Sequence, residues 1–227
     1  MANKRTGIYG TYYGSYYNES EYLTEAEKEA NARYIYAYLS AKGWTKNAVA
    51  GLLGNLENES AINPGRWEGN DVGNGPGYGL VQWTPFTKYT NWCAENGYDD
   101  PSEMDTNLIR IIYEMQNGIQ YYATDDYPLS FSEFSKSTAS PYYLACAFAW
   151  NYERSWVVLY GSEEEKEALR QLRGGDANKW YSFLSGEEPS DPDPDTPTPD
   201  TPEIPDYIPH DRKGLPLWLL ISATRKR

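Results

Sequence analysis

Glu59 is the acid whose position in this sequence most strongly suggests chemistry. It lies three residues after Leu56 and seven after Leu52, so on a helix it would continue their apolar stripe. A carboxyl group in apolar surroundings favours its neutral form, which would make it a proton donor near neutral pH. Cleavage of a glycosidic bond needs such a general acid. Two alternatives stay open: the helix frays by Ser60 and Glu59 is solvated, or Glu59 pairs with a cation such as Arg66.

Two further acids follow in a glycine-rich segment. Glu68 lies nine residues and Asp71 twelve residues after Glu59. A turn packed against a helix end can bring such a carboxylate across a cleft from the acid. There it could orient water, act as a nucleophile or stabilise an oxocarbenium-like transition state. As isolated acids, both would be surface turn residues, Asp71 in particular, because Asp is frequent in turns.

The remaining composition disfavours several competing chemistries. His210 is the only histidine of 227 residues and lies beyond the helical part of the chain. Nucleophiles of the Ser-His-Asp or Cys-His type and most catalytic zinc sites are therefore disfavoured, and neither a metal nor a cofactor is predicted. A formal net charge of −13 argues against nucleic acid as the main partner, because that affinity comes from Lys and Arg that neutralise phosphates.

Aromatic side chains are frequent in and after the glycine-rich segment. Their faces can stack on pyranose rings, and Asn and Gln side chains can hydrogen-bond sugar hydroxyl and acetamido groups. Most of these rings are nevertheless expected to belong to the core, because large aromatics dominate cores as well as binding sites. The candidates are Trp67, Tyr78, Trp83, Trp150 and Tyr152.

Helix signals account for most of the chain between residues 24 and 184. Residues 24–27 form a capping box, and the helix that follows ends at Gly43. Thr45 can cap a second helix, which carries the stripe that ends at Glu59. Further helices are predicted near 86–96, 104–122, 141–153, 163–173 and 176–184, the last two separated by Gly174 and Gly175.

The helical pattern stops between Asn63 and Gly79. Five glycines fall in the eleven residues from Gly69 to Gly79, a composition that predicts tight turns around a short β-hairpin. The predicted fold class is therefore α+β, mainly α, with a small β-hairpin or glycine-rich loop region.

Changes in composition predict four segments. Residues 1–23 form a Tyr/Gly-rich lead-in of uncertain order, and residues 24–186 form one domain. Residues 187–209 hold eight prolines interleaved with acids, which predicts an extended linker. Residues 210–227 combine an apolar patch with three terminal cations, which is typical of a docking or interfacial peptide. The sequence is equally consistent with an end of the chain that has no specific role.

No targeting or membrane-spanning segment is expected. The basic start at residues 1–10 is not followed by an apolar stretch, so no signal peptide is predicted and synthesis in a cytoplasm is expected. The longest apolar run, 215–221, contains Pro216 and is much shorter than the roughly 20 residues that span a bilayer. Cys93 and Cys146 are too few for a disulfide scaffold and are predicted to be buried free thiols, with a disulfide between them as the alternative.

Two ordered motifs make this sequence similar to a known family. The string ESAINP at 59–64 and the string YGLVQW at 78–83 resemble the paired Glu-Ser and Gly-Leu-x-Gln motifs of goose-type lysozymes and soluble lytic transglycosylases. Over residues 34–184 the sequence resembles the phage tail lysozyme family, closest to the N-terminal lysozyme domain of tail-tip wall hydrolases of short-tailed phages of Gram-positive hosts. Further matching positions are Gly54, Asn55, Trp67, Asp71, Gly73, Asn74 and Tyr152-Glu153-Arg154.

The resemblance implies a lysozyme-like fold and a muramidase that cleaves the β-1,4 bond between N-acetylmuramic acid and N-acetylglucosamine in peptidoglycan. Glu59 would be the general acid. Asp71 falls on an acidic position of the related domain and is preferred to Glu68 as the second carboxylate. Gln82 and Tyr152 would line the cleft. The predicted substrate-binding residues are Ser60, Glu68, Tyr78, Gln82, Trp83 and Tyr152.

Two alternatives to a muramidase remain. A lytic transglycosylase would use Glu59 alone as acid and then base, and would release 1,6-anhydromuramyl products. A non-catalytic wall-binding module of the virion would keep the fold without the activity. The related phage protein continues into a histidine-rich zinc endopeptidase, and this sequence does not support a peptide-cleaving activity.

The resemblance also implies a location. The enzyme would be carried in the virion at the phage tail, with residues 187–227 attaching it to tail proteins. The alternative is release to the wall through a holin-type lesion at lysis. The resemblance favours the virion.

Overall fold

The computed structural model describes residues 2–186. The linker predicted at 187–209 and the peptide predicted at 210–227 lie outside these residues. Helices dominate the described chain and are accompanied by one two-stranded sheet, which confirms the predicted α+β, mainly α, class. Within the described residues, no helix combines the length and the apolar character needed to cross a membrane.

The regular elements follow one another in chain order. The strands are β1 (Asn3–Gly7) and β2 (Gly10–Gly14). The helices are α1 (Glu25–Ala41), α2 (Lys46–Ser60), α3 (Thr87–Glu95), α4 (Met104–Gln116), α5 (Phe131–Lys136), α6 (Pro141–Phe148), α7 (Trp156–Tyr160) and α8 (Glu163–Ser185). A 3₁₀ turn lies at Glu68–Asn70, and a π-helical turn at Ala149–Glu153.

Helix α2 lies at the centre of the fold, packed against α6 and α8. Thr45 caps its first turn, as predicted. Two glycines allow the neighbouring helices to approach closely. A Cβ at Gly51 would lie 2.8 Å from the Cβ of Leu144, and one at Gly54 would lie 2.5 Å from the carbonyl oxygen of Arg173. The predicted apolar stripe is fully buried: Val49, Leu52, Leu53 and Leu56.

Helix α1 begins as predicted, whereas helix α8 differs from its prediction. Helix α1 begins with the predicted capping box at residues 24–27. The prediction that Gly174 and Gly175 separate two helices is wrong, because α8 continues unbroken to Ser185. A Cβ at Gly174 would lie 2.2 Å from Cδ2 of Tyr142, so this glycine permits close helix packing and does not end a helix.

Several shorter elements also differ from their predicted bounds. The helix predicted over 104–122 ends at Gln116, and the segment predicted over 141–153 is α-helical only to Phe148. The sequence pattern did not predict α5 or α7. Cys93 in α3 and Cys146 in α6 are buried free thiols, which confirms that prediction.

The regular β-hairpin is formed by the N-terminal residues. Strand β1 pairs antiparallel with β2, with Thr6 opposite Thr11. Asn31 of α1 holds the hairpin on the helical body, since its Nδ2 donates to the carbonyl oxygens of Tyr13 at 2.7 Å and of Ile62 at 2.8 Å. The lead-in of uncertain order therefore contains an ordered hairpin packed on α1.

The glycine-rich segment contains turns and isolated bridges in place of the predicted hairpin. Tyr78 forms one antiparallel bridge with Trp67 and another with Trp83. Gly79 has a φ of +83°, and a Cβ there would lie 2.8 Å from Oδ1 of Asn107. Glycine is required at this turn for both reasons, and the turn brings the second sequence motif beside the end of α2.

Candidate active site

A cleft of about 570 Å³ lies between the end of α2, the glycine-rich segment and the π-helical turn. Four acids from four parts of the chain line it: Glu59, Glu68, Glu114 and Glu153. Its walls include the amide of Gln82 and the rings of Trp83 and Tyr152. A concave site with a few convergent polar groups is the usual form of a small-ligand or substrate site.

Glu59 stands in the last turn of α2 with its side chain 21% exposed. Its Oε1 accepts a hydrogen bond from Nη2 of Arg173, which belongs to α8. The Nη1 of Arg173 donates to the backbone oxygen of Asn55 at 2.8 Å. The cation that pairs with Glu59 is therefore Arg173, while the guanidinium of Arg66 lies 3.9 Å from the ring centre of Tyr22. Glu59 is partly buried and faces the cleft.

The end of α2 is held in place and does not fray. Ser60 is buried, and its Oγ donates to the carbonyl oxygen of Leu56. The next two residues, Ala61 and Ile62, both have left-handed backbone conformations, with φ of +52° and +55°. Asn63 then fixes the exit of the chain, since its Oδ1 accepts from the backbone N–H of Gly65 at 2.9 Å. These contacts fix the turn that carries Glu59.

The second motif forms a wall of the cleft through Gln82. This residue has a left-handed backbone conformation, with φ of +51°. Its Nε2 donates to the carbonyl oxygens of Gly79 at 2.8 Å and of Arg66 at 3.1 Å. The Gln82 side chain thus ties the turn of the glycine-rich segment together while it lines the cleft.

Glu114 joins Arg110 and two cleft-wall side chains in one buried network. It is 3% exposed, and its Oε1 accepts from Nη2 of Arg110 at 2.7 Å and from its Nε at 3.0 Å. Its Oε2 accepts from Nε1 of Trp83 at 2.9 Å and from the hydroxyl of Tyr152. The Trp83 ring also stacks on Tyr89, with ring centres 4.1 Å apart. Both aromatic residues of the wall are therefore fixed through one carboxylate.

Glu153 ends the π-helical turn and faces the same cleft. The residue is only partly buried as a whole, but its Oε1 is out of contact with solvent and has no hydrogen-bond partner among the described residues. Burial, and next the negative charge of Glu59, raise the pKa of Glu153 well above its usual value. The positive charge of Arg173 acts in the opposite direction and does not offset them.

Three predicted site residues lie outside the lining of the cleft. Asp71 is in an exposed turn that follows the 3₁₀ turn, and its Oδ1 accepts from Nδ2 of Asn74 at 3.3 Å. Tyr78 is completely buried, and Ser60 is bonded to its own helix. The predicted residues that the structure brings together in the cleft are Glu59, Glu68, Gln82, Trp83 and Tyr152.

Two acids of the cleft are not predicted from the sequence. Glu153 belongs to the Tyr-Glu-Arg string, but the sequence assigns it no role. Glu114 follows Arg110 by four residues, a spacing that allows an ion pair on a helix but does not show which face is buried. Its bonds to Trp83 and Tyr152 come from distant parts of the chain.

The side chains of this cleft offer proton transfer, hydrogen bonding and aromatic surface. Carboxyl groups in partly desolvated positions can donate or accept protons near neutral pH. Within the part of the chain that the structure describes, no group of three or more His, Cys, Asp or Glu side chains could hold a metal ion. The arrangement resembles the acid-lined clefts in which glycosidic bonds are cleaved.

Comparison with known proteins identifies the family. A family model described as phage tail lysozyme matches residues 30–184, which is more than half of the chain and includes all four cleft acids. The chain belongs to the phage tail lysozyme family. Family membership indicates a lysozyme-like protein with a phage-related role.

One curated relative of this family member is "Morphogenesis protein 1" of Bacillus phage B103. The two sequences are 42% identical over 173 residues, which cover 76% of this chain and 44% of the relative. The chain therefore spans less than half the length of that relative. A match to part of this relative does not assign the activities of the whole relative to this chain.

Proposed function

We propose that this chain is a muramidase that cleaves the β-1,4 bond between N-acetylmuramic acid and N-acetylglucosamine in peptidoglycan, with Glu59 as the general acid. The observation that carries the proposal is the convergence of the two sequence motifs in one cleft. Glu59 comes from the first motif, Gln82 and Trp83 come from the second, and all three line the same space.

Glu59 in its protonated form would donate its proton to the glycosidic oxygen as the bond to the anomeric carbon breaks. Positive charge then develops on the sugar ring and is stabilised by carboxylates fixed around the cleft. Two acids are candidates to assist the attacking water. Glu68 is supported by its place in the cleft lining, and Asp71 is supported by the family resemblance.

The decisive experiment compares wild type with Glu59→Gln in turbidity clearing of purified cell walls. Glutamine keeps an oxygen that can accept from Arg173, so the fold should persist, but it has no acidic proton. We expect the clearing rate to fall by about 10²–10⁴-fold, the usual contribution of a general acid. Thermal unfolding of both proteins, followed by circular dichroism, checks that the variant is folded.

Glu57→Gln is the matched control. Glu57 lies two residues earlier on the same helix, pairs with Lys28 at 2.6 Å and does not line the cleft. The Glu57→Gln variant should clear walls at the wild-type rate. A folded wild type that does not clear walls would support the non-catalytic wall-binding module instead. Equal losses in both variants would remove Glu59 from the acid role.

A lytic transglycosylase is the second candidate, and the exposed position of Asp71 favours it. If no second carboxylate takes part, Glu59 serves as acid and then as base, and the 6-hydroxyl of the muramyl residue attacks the anomeric carbon. Mass spectrometry of the digested wall separates the two reactions. Reducing muramic acid ends support the hydrolase, and 1,6-anhydromuramyl ends without them support the transglycosylase.

The proposed location is the phage tail, where the enzyme would aid penetration of the host wall. The family assignment supports it, and residues 187–227 are the proposed attachment to tail proteins. Mass spectrometry of purified virions tests the proposal. Recovery of this chain from intact particles is expected. Its absence from particles, together with its presence in the lysate, would favour release at lysis.

A further inference from the structure

The buried Oε1 of Glu153, which has no hydrogen-bond partner among the described residues, is the feature of the cleft that the proposed reaction leaves unexplained. The π-helical turn ends at Glu153, where the backbone N–H of Arg154 donates to the carbonyl oxygen of Ala149 at 2.8 Å. Arg154 has a left-handed conformation, with φ of +49°. This turn presents Glu153 to the cleft that Glu59 also lines.

Two arginines near the cleft are already engaged by other acids. Arg110 pairs with Glu114, and Arg173 pairs with Glu59. No ion pair or hydrogen bond to Oε1 of Glu153 is formed within residues 2–186. An ionised carboxylate in this position would have its Oε1 desolvated and without a donor, and it would feel the negative charge of Glu59, so the neutral form is favoured.

We propose that Glu59 and Glu153 hold one proton between them, that it resides on Glu153 in the resting protein, and that Glu153 passes it to Glu59 when substrate fills the cleft. Glu153 is then a positioning residue that acts through Glu59. This inference rests on the proposed function of Glu59 as the general acid.

The cycle returns to the pair the one proton that it uses. In the resting state the Glu59 carboxylate is paired with Arg173, and the O–H bond is on Glu153. Transfer breaks that O–H bond and forms one on Glu59, directly or through one water molecule. Glu59 then protonates the glycosidic oxygen as the C–O bond breaks. A water molecule adds its oxygen and one hydrogen to the anomeric carbon as a hydroxyl group. Its other proton returns to the pair formed by Glu59 and Glu153.

The charged groups around Glu153 together determine whether the proton resides on Glu153 or on Glu59. Glu59 on α2 and Glu114 on α4 favour its neutral form, and Arg173 on α8 opposes it. Glu68 and Lys88 line the same cleft, and substrate that excludes water will strengthen all these interactions. Burial and the charge of Glu59 raise the pKa of Glu153, in agreement with the proposed resting state.

A carboxyl-carbon NMR titration of the full chain tests the resting state without reference to activity. Glutamate carboxyl carbons are labelled with ¹³C, and the Glu153 signal is assigned by its absence in Glu153→Gln. We expect Glu153 to remain protonated at a pH at which the exposed glutamates have ionised. Glu59→Gln should lower the midpoint of Glu153, since one neighbouring negative charge is removed. Titration of Glu153 together with the exposed glutamates would overturn the proposal.

The pH dependence of wall clearing tests the transfer. In Glu153→Gln the pair has no stored proton, so the loss of activity on the alkaline side should move to lower pH while the activity at acidic pH is largely kept. Glu164→Gln, a change at an exposed position in the first turn of α8, should keep the wild-type profile. A loss by the same factor at every pH would indicate a structural role for Glu153 and overturn the transfer.

The two measurements separate this inference from the function on which it rests. If wild type does not clear walls, the proposed function fails, and the titration still reports where the proton resides. If wild type clears walls and Glu59→Gln does not, but Glu153 titrates like an exposed glutamate, the function stands and the inference fails.

Discussion

Glu114 and Glu153 each have a buried carboxyl oxygen in the same cleft, and the surroundings of these two oxygens are opposite. The carboxylate of Glu114 accepts hydrogen bonds from Arg110, Trp83 and Tyr152. The Oε1 of Glu153 accepts none within the described residues. A buried carboxylate with a cation and two further donors is an anchor, whereas a buried carboxyl group without a donor lowers stability.

This difference indicates what each acid contributes. Glu114 fixes the two aromatic residues of the wall. Glu153 occupies a position in which the ionised form is disfavoured, so a side chain that cannot ionise would cost less stability there at neutral pH. Local features that lower stability and persist in a fold are concentrated at functional sites, which agrees with a role for Glu153 in proton transfer.

The largest expected effect on stability comes from breaking the anchor. Glu114→Gln leaves the buried guanidinium of Arg110 beside an amide, so we expect the free energy of unfolding to fall by about 3–5 kcal/mol, as for other broken buried ion pairs. Urea unfolding at pH 7, followed by tryptophan fluorescence, measures it. Glu167→Gln, in an exposed pair with Arg170, should lose about 0–1 kcal/mol. Equal losses in the two variants would contradict the anchor role of Glu114.

The features that sequence could predict are those with a local signal. The capping box of α1, the Thr45 cap and the buried stripe of α2 each depend on residues within a few positions of one another. The position of Glu59 follows from the same stripe, and the structure places it at the rim of the cleft. The string around Gln82 likewise marked a segment that lines the site.

The features that sequence could not predict depend on which elements meet. Arg173 is 114 residues from Glu59, and nothing in either segment indicates that they pair. Gly174 resembled a helix break, but the ring of Tyr142 that packs on it comes from α6. The missing partner of Glu153 is a property of the packed cleft, which no spacing in the sequence encodes.

A smaller effect of opposite sign is expected when Glu153 is replaced by a side chain that cannot ionise. The amide of Glu153→Gln is neutral in the folded and in the unfolded chain, whereas burial favours the neutral form of the wild-type carboxyl group only in the folded protein. We therefore expect a gain of about 1–3 kcal/mol at neutral pH, since each pH unit above the unfolded pKa is equivalent to about 1.4 kcal/mol. Burial raises the pKa of Glu153 in the folded state above the value of about 4.3 for an unfolded chain. As pH rises between these two values, the unfolded chain ionises first and wild type loses stability.

The gain in stability of Glu153→Gln should therefore be largest at pH values above the folded-state pKa of Glu153. It should be small at pH values below about 4.3, the pKa in the unfolded chain. Thermal melts of wild type and Glu153→Gln at several pH values between acid and mildly alkaline conditions measure the difference. The matched change at exposed Glu164 should show no such trend. A constant difference between the two proteins at all pH values would contradict the raised pKa of Glu153.

The smallest effects on stability are expected for the two acids of the glycine-rich segment. Glu68 and Asp71 are both exposed, so Glu68→Gln and Asp71→Asn should each change the free energy of unfolding by less than about 0.5 kcal/mol. Their effects on wall clearing should differ, because Glu68 lines the cleft and Asp71 does not.

We expect Glu68→Gln to slow clearing about tenfold, equivalent to about 1.4 kcal/mol of transition-state stabilisation, and Asp71→Asn to stay near the wild-type rate. Initial clearing rates at saturating wall concentration measure both variants. The reverse order would assign the second carboxylate to Asp71, as the family resemblance favours, and would require the exposed turn to move toward the cleft when substrate binds. Near-wild-type rates in both variants would leave Glu59 and Glu153 as the two acids of the mechanism.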